Sequence, residues 1–159
     1  KDPKYANMNL VSIVYGDDVM DKSYNEAVGL LTAYPDLKGI ISPTSIGVVA
    51  SCQAVEDQGK SGKVIVNGIG LPSQGITFIK KGTMPEEILW NPVDLGYVAV
   101  YANYYLIEGN ITGKDGDKID TKRLGEFVVH KYADGGTAVT GHSNAIFTKE
   151  NIDEWAGKL

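Results

Sequence analysis

The chain has 159 residues, 43% of them hydrophobic, which suits one domain of ordinary size with a real core. A formal net charge of -5 offers no basic face for nucleic acid, and no apolar run reaches the ~18 residues of a membrane span. The single cysteine, Cys52, excludes an intrachain disulfide.

The opening Lys1-Asp2-Pro3-Lys4 is neither an initiator methionine nor a signal peptide, and suits a mature secreted chain or a fragment. Residues 9–15, NLVSIVY, read as a strand that is apolar on both faces, as parallel strands are. Gly16-Asp17-Asp18 turns the chain into a helix over 21–33, which Pro35-Asp36 stops. A second strand, 37–41, ends in the polar cluster Ser42-Pro43-Thr44-Ser45. A helix over 46–58 follows, closed by Gly59. Cys52 falls there among Val48, Val49, Ala50 and Val55, with no sequence-adjacent histidine, and reads as a buried small hydrophobe. A third strand, 63–67, leads into Gly68-Ile69-Gly70-Leu71. Pro72 opens a short helix to Lys81, with Gly82 closing it. A fourth strand, 86–90, breaks at Asn91-Pro92. The helix over 94–108 is strongly apolar and carries Tyr97, Tyr101, Tyr104 and Tyr105.

After Gly109 the pattern changes. Residues 110–122 are polar and turn-rich, 127–132 read as a strand, and 138–140 extend again. Residues 148–155 read as a short helix with Thr148 as N-cap; Asn151 stands where a capping box would place Glu or Gln. The alternation of strands and helices predicts an α/β fold: a parallel sheet with helices on both faces and right-handed crossovers. In such sheets ligands sit at the carboxyl ends of strands.

Four clusters fall at such ends. Asp17 and Asp18 follow the first strand; each either contacts a ligand or serves its own loop. A phosphorelay receiver would also need an acceptor aspartate on a later strand, and none is there. Pro43, Thr44 and Ser45 offer two hydroxyls and backbone amides just before a helix, which suits both capping and an oxygen-rich ligand. Gly70 belongs to a Gly-x-Gly that Pro72 and Ser73 keep from completing a dinucleotide fingerprint. Trp90 and Asn91 pair an indole with a carboxamide, which suits a sugar, although Trp90 also suits a core. No nucleophile, base and orienter come together, so no catalytic residue is assigned. His130 and His142 lack metal-ligand spacing, and no metal or cofactor is implied.

The segments LLTAYPDLKGIISPTSIGVVASCQAVEDQG, KVIVNGIGLP and EILWNPVDLGYVAVYANYYLIEGNI together resemble the type I periplasmic sugar-binding proteins of ABC transporters. The closing IFTKENIDEW resembles the C-terminal signature of one subgroup, the rhamnose-binding proteins and the binders of the furanosyl quorum signal autoinducer-two. The resemblance covers nearly the whole chain and is specific in combination. It implies two lobes joined by a three-stranded hinge, with a monosaccharide trapped between them and delivered to a membrane permease. The location it implies is periplasmic or extracellular, with or without a lipid anchor.

On that resemblance the chain is the latter part of such a protein. Residues 1–90 correspond to most of the second lobe, 91–125 to a hinge crossing and a helix packed on the first lobe, and 126–159 to the last crossing and a terminal helix. The Tyr97, Tyr101 and Tyr104 face would then meet the first lobe or a second copy. The family's ligand contacts fall on Asp17, Asp18, Pro43, Thr44, Ser45, Gly70, Trp90 and Asn91. Many pentose and hexose binders carry Asn-Asp at Thr44-Ser45 and Asp at Gly70, and the quorum-signal binders carry Asp at Asn91. A deoxy sugar such as rhamnose, with a methyl group to bury, suits a less acidic pocket. The same fold also serves as the effector-sensing core of sugar-responsive transcription regulators, and an enzyme of flavodoxin or receiver type is a third reading.

Overall fold

The computed structural model of the protein describes residues 2–141 and 145–159, which leaves His142 outside. The chain divides into two compact units, Lys1–Ile88 with Ile146–Leu159, and Leu89–Ala145.

In the first unit, α1 (Met20–Ala33) buries Ser23, Ala27 and Leu31, a stripe at four-residue spacing that packs on α2. β1 (Gly39–Ser42) and β2 (Ile65–Gly68) pair in parallel, with Ile40 opposite Val66 and Ser42 opposite Gly68. Between them α2 (Ser45–Asp57) buries Val48, Ala50, Cys52, Ala54 and Val55. A helix apolar over so much of its surface belongs inside, and Cys52 is the small buried hydrophobe its neighbours imply. α3 (Pro72–Lys81) keeps the bounds its sequence predicts. Pro72 starts it, and Gly82, at φ +83°, takes the left-handed turn that ends it.

β3 (Glu86–Leu89) joins the end of β2 through a parallel bridge between Ile69 and Ile88, and on its other side lies β7 (Ala145–Thr148). α5 (Ile152–Trp155) packs on α3, with Phe147 and Trp155 ring centroids 5.4 Å apart. The core gathers Val48, Val55, Val66, Ile79, Met84, Phe147 and Ile152, all at most 1% exposed.

Two expectations are corrected here. Residues 9–15 enter no strand ladder among the described residues, and their apolar side chains are exposed. Composition marks a chain fit for a strand; a strand also needs an edge to bond to. Thr148 ends β7 rather than capping a helix, because Phe147 is drawn into the core. Asn151 precedes α5, and its Oδ1 accepts from the Thr148 amide at 2.8 Å, which is the reach-back expected of a Glu or Gln.

In the second unit α4 (Pro92–Ile107) packs on an antiparallel sheet of β4 (Lys118–Asp120), β5 (Glu126–Lys131) and β6 (Thr137–Val139). Ile111, Ile119 and Val129 form its core, with Tyr101, Ala102, Tyr105 and Val139 against them. β4 arises inside the stretch read as turn-rich. Only Ile119 of its three residues is apolar, and that residue pairs with Phe127 and is fully buried. The tyrosine face is divided. Tyr97 and Tyr101 meet in a tilted ring contact with centroids 5.0 Å apart, and the Arg123 guanidinium lies 4.5 Å over Tyr97, whereas Val100 and Tyr104 are exposed. Asp94 holds Arg123 in place at 2.7 Å.

Candidate functional site

The polar tip of β1 is arranged by the helix that follows it. Thr44 is extended, and its hydroxyl accepts from the Gly47 amide at 3.0 Å, capping α2. A Cβ at Gly47 would lie 2.4 Å from Ser42 Oγ and 2.8 Å from Thr44 Oγ1. Glycine there lets both hydroxyls close onto the first turn of α2, beside the amides that carry its positive end. Pro43 is exposed and Ser45 is the first residue of the helix.

Asp17 and Asp18 both lie in the left-handed backbone region, at φ +51° and +55°. Consecutive non-glycine residues there are held against their preference, which is a feature of functional loops. Asp17 forms an ion pair with Lys22 on α1, which holds that lysine above its usual range. Asp18 has no intrachain partner among the described residues. Asp17, Asp18, Ser42, Pro43, Thr44 and Gly47 line one groove, so the end of the 9–15 segment and the tip of β1 share a single opening.

Gly70 is buried away from that groove. A Cβ on it would lie 2.1 Å from Glu87 Oε1 and 3.0 Å from Val48, so its Cα faces the core. Trp90 and Asn91 fall in the second unit. Trp90 is 47% exposed, so the core alternative for it is not what the structure displays. Asn91 Oδ1 accepts from the amides of Val93 at 3.0 Å and Asp94 at 3.3 Å, which caps α4 and leaves the amide nitrogen as a donor.

Sequence reading missed Glu87. It is fully buried, and neither carboxylate oxygen has a hydrogen-bond partner. Desolvation lifts its pKa to about 7. The Cys52 thiol nearby is pushed up to about 12, first by burial and then by the Glu87 and Glu56 carboxylates. The signal lay in the alternation of EEIL, which puts Glu87 on the same face as Leu89.

The arrangement offers hydroxyls, carboxylates and helix-end amides. These groups hold a polar solute by hydrogen bonds. Among the described residues no group of three His, Cys, Asp or Glu could hold a metal ion, and His130 is exposed on β5.

Residues 1–111 match the family described as "Periplasmic binding protein domain". The crystal structure of an ABC transporter solute-binding protein from Clostridium phytofermentas, with bound L-rhamnose, superposes with a TM-score of 0.90 at 35% identity, over 99% of this chain and 52% of that one. A sugar ABC transporter from Actinomyces odontolyticus gives 0.84 at 40% identity, over 97% and 48%. Among curated proteins, the D-allose-binding periplasmic protein of Escherichia coli K12 is 30% identical over 94 residues, 58% of this chain and 30% of that protein. The chain thus spans about half the length of the two solved relatives, and less of the curated one.

Proposed function

We propose, from the premise that the chain belongs to the periplasmic binding protein domain family, that it forms one wall of the sugar cleft in the solute-binding component of an ABC importer. The family is one of binding proteins, not of enzymes, and it is extracytoplasmic. The observation that carries the reading is the shared opening of Asp17-Asp18 and the Ser42–Thr44 hydroxyls at the amino end of α2. Carboxylates accept from sugar hydroxyls, helix-end amides donate to them, and side-chain hydroxyls do both. Ser45, Gly70, Trp90 and Asn91 complete the proposed set. Trp90 supplies a ring to stack on and Asn91 a free amide nitrogen, whereas Gly70, turned toward Glu87, acts through the shape of its loop.

Within this reading, residues 1–90 are most of one lobe, 91–125 a hinge crossing with its helix, and 126–159 the last crossing with the terminal helix. Closure of two lobes about the sugar would bury it and present the closed form to a permease. Because Gly70 brings no acid, the preferred ligand is a 6-deoxyhexose such as L-rhamnose, the sugar bound in the Clostridium relative.

Calorimetric titration of the natural full-length protein tests this. L-rhamnose is expected to bind with a Kd of about 1 μM or tighter, ahead of D-allose, D-fucose and D-glucose. Tighter binding of D-allose would move the specificity. No heat with any of the four would overturn the reading.

A further inference from the structure

Among the described residues, the buried side-chain oxygens left without a hydrogen-bond partner both belong to Glu87. Such a pair costs stability, so its presence calls for a reason. The surroundings supply one. A Cβ on Gly70 would lie 2.1 Å from Oε1, and one on Gly75 would lie 2.2 Å from Oε2. A single carboxyl is therefore wedged between the loop after β2 and the opening turn of α3. Glycine at both positions is what lets the backbone close on it from two sides.

No cation pairs with this group among the described residues. From α2 the titratable neighbour is the Cys52 thiol, and Glu56, one turn on, is held by Lys81 at 2.7 Å and Thr83 at 2.9 Å. Lys80 of α3 pairs with Asp153 of α5, and Glu154 with Lys158. Glu86 takes the other face of β3, where the Asn67 side chain reaches it. β2 and β7 bring no charged residue.

The loop in front of the wedge belongs to the strand tips. The Ile69 amide donates to the Ser42 carbonyl at 3.1 Å, and the Gly70 amide donates to the Ile88 carbonyl at 3.3 Å. These two long bonds tie the loop to the tip of β1 on one side and to β3 on the other. α3 opens at Leu71 without a side-chain cap. An uncharged carboxyl suits so apolar a wedge. A charged one is driven toward water or toward the amides at the start of α3, and the loop is what yields to it. Desolvation holds the pKa at about 7, so both forms occur near neutrality. If sugar binding needs the loop in place, the bound state keeps the proton more tightly. Affinity is then complete below about pH 7 and falls as the pH rises through that value.

We propose that Glu87 is a positioning residue of the sugar site: uncharged, it braces the 69–71 loop against the tip of β1, and loss of its proton releases the loop and weakens sugar binding. The proposal rests on the sugar-cleft reading and adds to it a residue that never touches the ligand.

Calorimetric titration of the natural full-length protein at pH 6 and pH 8.5 tests it, with whichever of L-rhamnose, D-allose, D-fucose and D-glucose binds tightest. The wild-type Kd is expected to rise about tenfold over that interval, which corresponds to a bound-state pKa higher by about one. Glu87→Gln keeps the shape of the uncharged carboxyl, and Glu87→Met removes the polar atoms. Each is expected to lose the pH dependence, with a Kd that changes less than about twofold over the same interval. A rise of equal size in all three proteins, or none in the wild type, would overturn the proposal. A second readout needs no sugar. The amides of Ile69 and Gly70 are expected to shift with pH along one curve with its midpoint near 7 in the wild type, and to stay still in either variant. Amides that do not move in the wild type would overturn the brace. No heat with any of the four sugars at either pH would overturn the sugar-cleft reading and the coupling with it. Heat whose pH dependence survives both substitutions would overturn the coupling alone.

Discussion

Raising the pH from 4.5 to 8 is expected to cost the fold on the order of 3 kcal/mol through Glu87 alone. Below pH 4.5 this carboxyl is protonated whether the chain is folded or not, and it contributes no pH dependence. Between 4.5 and about 7 the unfolded chain has released the proton while the folded chain keeps it, so stability falls as pH rises. Above about 7 the slope vanishes with the whole penalty in place. The cause is geometric, because both oxygens are buried without a partner. Glu87→Met, which keeps the volume and removes the charge, should therefore raise the Tm at pH 8 by several degrees, and the gain over wild type should shrink toward pH 4.5. Thermal unfolding of the two proteins side by side checks this, since the exposed carboxylates cancel in the difference. A gain that does not change with pH would show that Glu87 is not the titrating group. The same carboxylate explains Gly70. Gly70→Ala should destabilise the wild type, whose Oε1 would lie 2.1 Å from the new Cβ, and should be tolerated far better beside Glu87→Ala.

Gly68→Ala is expected to cost about 4 kcal/mol or more, enough to leave a chain of ordinary stability largely unfolded. A Cβ at Gly68 would sit 2.0 Å from the Ser42 carbonyl oxygen and 3.0 Å from its carbon. The obstacle is backbone, in the strand paired with Gly68, and it cannot rotate aside. Relief would require β1 and β2 to part at the point where the polar tip is built. Gly29→Ala provides the contrast. It lies within α1 with nothing within 4 Å of the new methyl, and it should stabilise by about 0.5–1 kcal/mol. Circular dichroism melts of both variants decide the matter. A Gly68→Ala chain as stable as wild type would mean that β1 and β2 do not approach this closely.

The elements that could be read from sequence are those whose signals are local. Pro72 and Gly82 bracket α3 because one fixes φ at a helix start and the other accepts the left-handed turn at its end. Thr44 reads as a cap and is one, since capping involves only the next three residues. The failures are non-local. Residues 9–15 have the composition of a strand, yet pairing depends on a partner edge that no window on the sequence contains. Lys118-Ile119-Asp120 looks like loop, and becomes a strand because Ile119 is needed in the core. Glu87 looks like one of two surface acids until the register of β3 turns it inward. The polar tip of β1 could be placed from its strand end, whereas Asp17-Asp18 follow a segment that forms no strand among the described residues. The inward orientation of Gly70 could not be placed, because it is set by a side chain seventeen positions away.

Chemical-shift mapping of the natural full-length protein, titrated with L-rhamnose, tests most directly whether the strand tips grip the sugar. The amides of residues 16–18, 44–47 and 69–71 and the indole N–H of Trp90 are expected to shift together, along one saturation curve. Shifts confined to the β4–β6 sheet, with the tips silent at saturation, would contradict the proposed site.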